Sequence, residues 1–317
     1  MMSYFLGIDT SNYTTSAALY SSEDHRMIHT KKLLPVKSGE CGLRQSDAVF
    51  HHVQQLPEMT EQILGGFNGK ISAIGVSSRP RDVEGSYMPC FTVGYSAAKI
   101  LSSALNVPLY TFSHQSGHIA AALYSSGQSE LMQSRFLAFH ISGGTTEAVI
   151  VSPDENDIFS SELAAKTLDL NAGQLIDRVG VMMGLPFPCG AELEKLALNC
   201  TVKHKVKPTL KDCDCCLSGV QNICERAYQS GSSKEEVAGL CLEYVKKTIE
   251  KMYLRIIEKY GKMPVVFAGG VMSNTIIKAY FTEKYNAYFA QPEFSADNAA
   301  GTAFLCAYRY NSENNKN

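Results

Sequence analysis

A chain of 317 residues with 45% hydrophobic content exceeds what one core usually holds, so two lobes are expected. Its net charge of −2 excludes a protein that grips nucleic acid unaided, because that grip draws on clustered Lys and Arg. With no apolar run near the roughly 20 residues of a membrane span and no signal-peptide pattern, a cytoplasmic location is expected, and the ten cysteines read as reduced thiols.

The opening YFLGIDTSNYTTSAALYSS (4–22) predicts a strand, a turn of small and hydroxyl residues, and a second strand. KISAIGVSS (70–78) and VPLYTFS (107–113) predict two more strands, flanking a helix from about Phe91 to Leu105 whose apolar and small residues suit burial. TFSHQSGHIAAALY (111–124) then sets His114 and His118 one helical turn apart. FLAFHISGGTTEAVIVSP (136–153) repeats the opening pattern, Thr14 to Leu19 matching Thr145 to Ile150, which predicts a duplicated β-hairpin that begins each of two lobes.

Further along, LDLNAGQLIDRVGVMMGL (168–185) reads as a helix that ends before PFPCG. The basic run KHKVK (203–207) reads as a solvated loop, and DCDCC (212–216) lacks the paired spacing of a zinc ribbon. KEEVAGLCLEYVKKTIEKMYLRIIEKY (234–260) is the longest predicted helix, amphipathic, with Gly261 just past its end. Pro264 to Ala268 form a buried strand, followed by the Gly269-Gly270 turn and a helix whose start carries Ser273 and Asn274. A helix near the C-terminus begins around Asp297, and NSENNKN (311–317) reads as frayed. Strands alternating with helices define an α/β protein.

Two chemistries are suggested by these residues. Imidazoles at i and i+4 can reach one ion, and Asp297 would complete a two-histidine, one-carboxylate set that suits iron or zinc; an acidic residue in a first helical turn also favours the helix dipole without any metal. The turns at Gly143-Gly144 and Gly269-Gly270 leave backbone N–H groups approachable, and a strand, a glycine turn and a helix N-terminus together make an anion site. A nucleotide held between two lobes is the expected ligand.

GIDTS, SHQSGH, ISGGTTEAVIV, LDLNAGQLIDRVGVMMGLPFPCG, LSGV, AGGVMSN and FSADNAAGTAF occur in the order and spacing of the TsaD family, once known as O-sialoglycoprotein endopeptidases. The chain resembles that family from about Leu6 to Tyr308. The resemblance implies an actin/Hsp70/sugar-kinase-like fold, with lobe I at 1–112 plus 296–317 and lobe II at 113–295. It also implies transfer of threonylcarbamoyl from its adenylate to N6 of adenosine-37 in tRNA, with ATP or that adenylate as ligand. Position by position, His114, His118 and Asp297 match the family's metal ligands, while Asp177, Gly190 and Asn274 match residues that hold the nucleotide, with Asn274 at the phosphate end.

The chain also departs from the family pattern. GIETSCDET is here GIDTSNYTT; GGHT is Gly143-Gly144-Thr145-Thr146; the GPGL loop is RPRDVEG (79–85); and the lysine of SGLK is Gln221. A divergent metal-dependent transferase acting on tRNA, helped by partner proteins, is the first expectation. A nucleotide-binding scaffold without catalysis is the second, and a metalloprotease the third, since no H-E-x-x-H helix is present.

Overall fold

The computed structural model describes residues 3–11, 13–35, 43–154, 157–296 and 298–315. The chain divides into two units, the first comprising Met1–Ser129, Asp154–Ile158 and Glu293–Asn317, the second Glu130–Pro153 and Phe159–Pro292.

The first unit begins with three antiparallel strands, β1 (Ser3–Ser11), β2 (Thr14–Ser21) and β3 (Met27–Leu33). Helix α1 (Gln45–Leu64) leads to β4 (Lys70–Arg79), α2 (Phe91–Leu105), β5 (Leu109–Ser113) and α3 (His114–Ser126). β4 adds parallel to β1 and β5 parallel to β4, giving the order β3-β2-β1-β4-β5. Phe5, Leu6 and Ile8 are all fully buried, so β1 lacks polar alternation, as expected of a central strand covered on both faces.

The second unit opens with β6 (Phe136–Ile141), β7 (Thr146–Pro153) and β8 (Phe159–Lys166). It continues through α4 (Ala172–Met182), α5 (Gly190–Leu198), a small hairpin β9 (Thr209–Lys211) and β10 (Asp214–Cys216), then α6 (Ser218–Gln229) and α7 (Lys234–Tyr260). β11 (Val265–Ala268), α8 (Thr275–Tyr285) and β12 (Tyr288–Phe289) complete it. The sheet order is β12-β11-β6-β7-β8, with antiparallel β6-β7-β8 and parallel β11 and β12. Each unit therefore carries a three-strand meander followed by two parallel strands on the far side of its first strand. That is one topology used twice, as the repeated hairpin predicted. The ladders set Thr14 against Ser11 and Thr146 against Ile141, so Thr14 corresponds to Thr146, one position from the sequence alignment.

Helix α7 shows how the second core is built. Its buried residues Val237, Cys241, Val245, Ile249, Met252 and Ile256 recur every three or four positions and form one stripe in the core cluster. Each of the Val, Ile and Met side chains among these contributes about 1.5–3 kcal/mol on burial. Ser233 caps the start, accepting from Glu236 N–H while Glu236 accepts from Ser233 N–H, and Gly261 ends the helix at φ +89°. Cys213 and Cys215 of the DCDCC run lie in this apolar core, and all nine described cysteines are free.

The chain then returns to the first unit as α9 (Ala300–Asn314), which packs on α3, β1 and β4. A Cβ at Gly301 would collide with the Gly117 carbonyl, so α9 and α3 touch backbone to backbone. This contact keeps α3 in the first unit, which runs to Ser129 and not to the expected 112. α9 also runs on to Asn314, so residues 311–314 of the supposed frayed tail are helical. No helix among the described residues is long and apolar enough to cross a membrane.

Candidate functional site

In the first unit, Ser113 ends β5 and caps α3, its hydroxyl accepting from Ser116 N–H at 3.0 Å. This starts the helix at His114 and puts His114 and His118 on one face. His114 Nδ1 lies 2.8 Å from Oδ2 of Asp9, a β1 carboxylate only 1% exposed, and His118 Nε2 lies 2.9 Å from His114 Nε2. Asp9 is oriented in turn by Ser11 N–H, which donates to its Oδ1 at 2.9 Å.

This donor set fits a metal ion. A carboxylate on Nδ1 fixes the histidine tautomer that leaves Nε2 as the ligand atom. Two nitrogens bound at about 2.1 Å and at right angles stand about 3.0 Å apart, close to the spacing found here. Asp297, the expected third ligand, lies outside the described residues, and no group of three His, Cys, Asp or Glu that could hold a metal occurs among the described residues. Asp9 was visible in GIDTS as part of a motif but not as a partner of His114. A carboxylate inside a buried strand is itself a signal, because burial demands a partner.

The loop at 79–85, where the chain leaves the family pattern, is tied to the same helix. Asp82 Oδ2 accepts from the hydroxyls of Ser113 and Ser116, each at 2.6 Å, and Oδ1 accepts from Arg79 Nη2 at 2.6 Å. Gln115 N–H donates to Pro80 O at 3.0 Å. The loop thus braces the first turn of α3, a role that sequence reasoning missed.

In the second unit, a pocket of about 460 Å³ is lined by Gly143, Asp177, Gly190, Gly270 and Asn274, five of the seven residues expected to bind nucleotide. Gly144 and Gly269 are not among its lining residues. A Cβ at Gly143, Gly190 or Gly270 would meet nothing within 4 Å, so packing does not account for these glycines, whereas close approach of a ligand would. Gly269 is different: its φ is +96° and a Cβ would strike the Ile141 carbonyl, so it serves the junction of β11 with β6. Gly173, at the start of α4, also lines the pocket; a Cβ there would come 2.6 Å from Gly143 N.

Asp177 stands on α4 with Oδ1 accepting from Cys189 N–H at 2.8 Å, which holds the Pro188 to Gly190 corner beside the pocket. Its second oxygen can accept from a ligand hydroxyl. Asn274 is 7% exposed and caps α8, Oδ1 accepting from Ile276 and Ile277 N–H, each at 3.1 Å, which leaves its amide nitrogen as a donor. Thr275 N–H donates to Oε1 of Glu194 from α5 at 2.7 Å, and the Thr275 hydroxyl donates to the same atom. The α8 N-terminus is therefore closed by Asn274 and a carboxylate. The first three N–H groups of this helix start, expected from the sequence to form an anion site, are paired within the protein.

Two α/β units of one topology define the actin/Hsp70/sugar-kinase-like class. The ROK hexokinase of Thermus thermophilus has this fold at TM-score 0.54, with 14% identity and coverage of 98% of this chain and 99% of that one. Within that class the chain belongs to the TsaD family, described as tRNA N6-adenosine threonylcarbamoyltransferase, which matches residues 32–304. The protein of that name from Riemerella anatipestifer is 28% identical over 328 residues, covering 97% of this chain and 93% of its own. That from Methanopyrus kandleri is 25% identical over 307 residues, covering 94% and 85%.

Proposed function

We propose that this protein binds a nucleotide and a divalent metal ion and transfers threonylcarbamoyl from its adenylate to N6 of a tRNA adenosine, acting in the cytoplasm with partner proteins. The observation that carries this reading is the pocket of the second unit, where Asp177, Gly190 and Asn274 meet glycines whose open faces no packing requires. Family membership supplies the reaction class.

Asp177 accepts from ribose hydroxyls through the oxygen not used by Cys189, and Asn274 donates through its amide nitrogen. Gly143, Gly190 and Gly270 admit the ligand backbone-close. In the first unit His114 and His118, with Asp297, would hold the metal, and Asp9 orients the ring of His114. A divalent ion held there would supply Lewis-acid polarisation to the carbamoyl-phosphate mixed anhydride. The low net charge leaves most of the tRNA grip to other subunits.

The test incubates the purified chain, alone and with a desalted extract lacking it, with unmodified tRNA and threonylcarbamoyl adenylate. Nucleoside mass analysis should show threonylcarbamoyladenosine, lost on chelation. No modified nucleoside in either condition, with ATP still raising the melting temperature, would make the chain a nucleotide-binding scaffold.

A further inference from the structure

Past the end of α5 the chain passes Cys200 and His204 along a second pocket of the second unit, about 360 Å³, which Lys203, Gly239, Glu243 and Ile276 also line. Cys200 Sγ lies 3.7 Å from His204 Nε2 and 3.6 Å from the Val202 carbonyl. A Cβ at Gly239 would come 2.7 Å from Cys200 Sγ and 3.5 Å from His204 Nε2, so the bare backbone of α7 forms the wall against which the pair sits. A glycine inside a long helix costs about 1 kcal/mol relative to alanine, so this close approach is kept at the expense of α7.

Cys200 differs from the other thiols. Cys90, Cys189, Cys213, Cys215, Cys224, Cys241 and Cys306 are buried. Burial pushes Cys90 up to about 11 and Cys215 up to about 12. Cys216 is half-exposed, but burial and then the charges of Asp169 and Asp214 raise it. Cys200 alone among the described cysteines is both accessible and within reach of an imidazole. The charge around it is basic, since Lys203, Lys205 and Lys207 are exposed in the same segment, and the Glu243 carboxylate is paired with Lys246 at 2.5 Å.

We propose that Cys200 and His204 form a thiol–imidazole pair that exchanges with anionic low-molecular-weight disulfides, so that this pocket is a site of reversible mixed-disulfide modification. The Cys200 proton passes to His204 Nε2 and the thiolate attacks one disulfide sulfur. The new bond joins Cys200 Sγ to that sulfur, the old sulfur–sulfur bond breaks, and the departing thiolate takes its electron pair and the imidazolium proton. The disulfide is the only oxidant required. This reading makes the KHKVK run, taken from the sequence as a plain solvated loop, the basic rim of a reactive site.

The test uses the full chain and dithiobis(nitrobenzoate), an anionic disulfide, following release of thionitrobenzoate and mapping the adduct by mass. A fast phase should map to Cys200, disappear in Cys200→Ser and slow several-fold in His204→Ala, with unchanged melting temperatures in both variants. Lys203→Ala should slow this reagent more than neutral hydroxyethyl disulfide. A fast phase that survives Cys200→Ser, or a Cys200 rate unaffected by His204→Ala, overturns the pair; equal slowing of both reagents by Lys203→Ala overturns the anionic preference.

Discussion

Substitution can separate the tie of Asp177 to Cys189 from its proposed contact with ribose. Its Oδ1 accepts from the N–H of Cys189, a fully buried residue whose side chain also fills the space a Cβ at Gly180 would need. Asp177→Ala leaves that buried N–H without a partner, at a cost of about 2 kcal/mol within the range for an unmade hydrogen bond. For a chain of 317 residues the melting temperature should fall by roughly 3 °C. Asp177→Asn retains an acceptor for Cys189 and should stay within about 1 °C of the wild type. Ligand stabilisation divides differently. ATP at about 100 times its Kd should stabilise the wild type by about 2.7 kcal/mol, and both variants should lose most of that gain, because neither presents a carboxylate to the ribose. Melting curves of the three proteins with and without saturating ATP decide the matter. An Asp177→Ala protein as stable as wild type would refute the tie to Cys189. Full ATP stabilisation of Asp177→Asn would refute the ribose contact, and no ATP effect on the wild type would empty the pocket of its nucleotide.

Glu250 of α7 accepts from Lys247, Lys284, Tyr280 and Tyr285; burial alone would raise its carboxyl, but these four bonds, Lys247 first, hold it at about 2 instead of 4.5. A depressed folded value stabilises above about pH 4.5 and is lost as pH falls toward 2, so Glu250→Gln should cost about 2 kcal/mol at neutral pH, after discount for half-exposed Lys284, and less in urea melts near pH 3. An equal cost at both pH values would contradict the assignment. Asp82→Ala should release the Ser113 and Ser116 hydroxyls and weaken metal binding by roughly 10–100-fold, the scale of an outer-shell change, as read by metal titration; unchanged affinity would leave the loop without a role in orienting α3. His114→Ala and His118→Ala should each lose stoichiometric metal by elemental analysis while keeping their far-ultraviolet circular dichroism, and full occupancy in both would make the pair ordinary helix residues.

The duplicated hairpins, the Phe91–Leu105 helix and the end of α7 were legible because local signals agree there: repeated strand patterns, a continuous apolar face and a terminal glycine. Helix α1 went unread, since Pro57 stands in its interior and His52 and Gln55 interrupt its apolar stripe. The predicted helix at 168 starts only at Ala172, because Asp169 is drawn off to accept from Leu217 N–H at 2.7 Å and from Ser218. Composition at Asn274 suggested an open helix start, and only the fold brings Glu194 across to close it. Asp9 and His114 stand 105 positions apart, joined by strand and helix packing that no local pattern encodes.

The return of α9 to the first unit sets an order on synthesis. As the chain leaves the ribosome, β1 to β5 and α3 emerge first, yet the helix that covers β1, β4 and α3 comes out only after the whole second unit. The nascent first unit therefore waits with an uncovered sheet face, while the second unit, whose two segments Glu130–Pro153 and Phe159–Pro292 both emerge before α9, can close on its own. His114 and His118 gain their firm footing last, when Gly301 settles against Gly117. A ribosome stalled before α9 would hold a chain whose second unit resists protease and whose first does not.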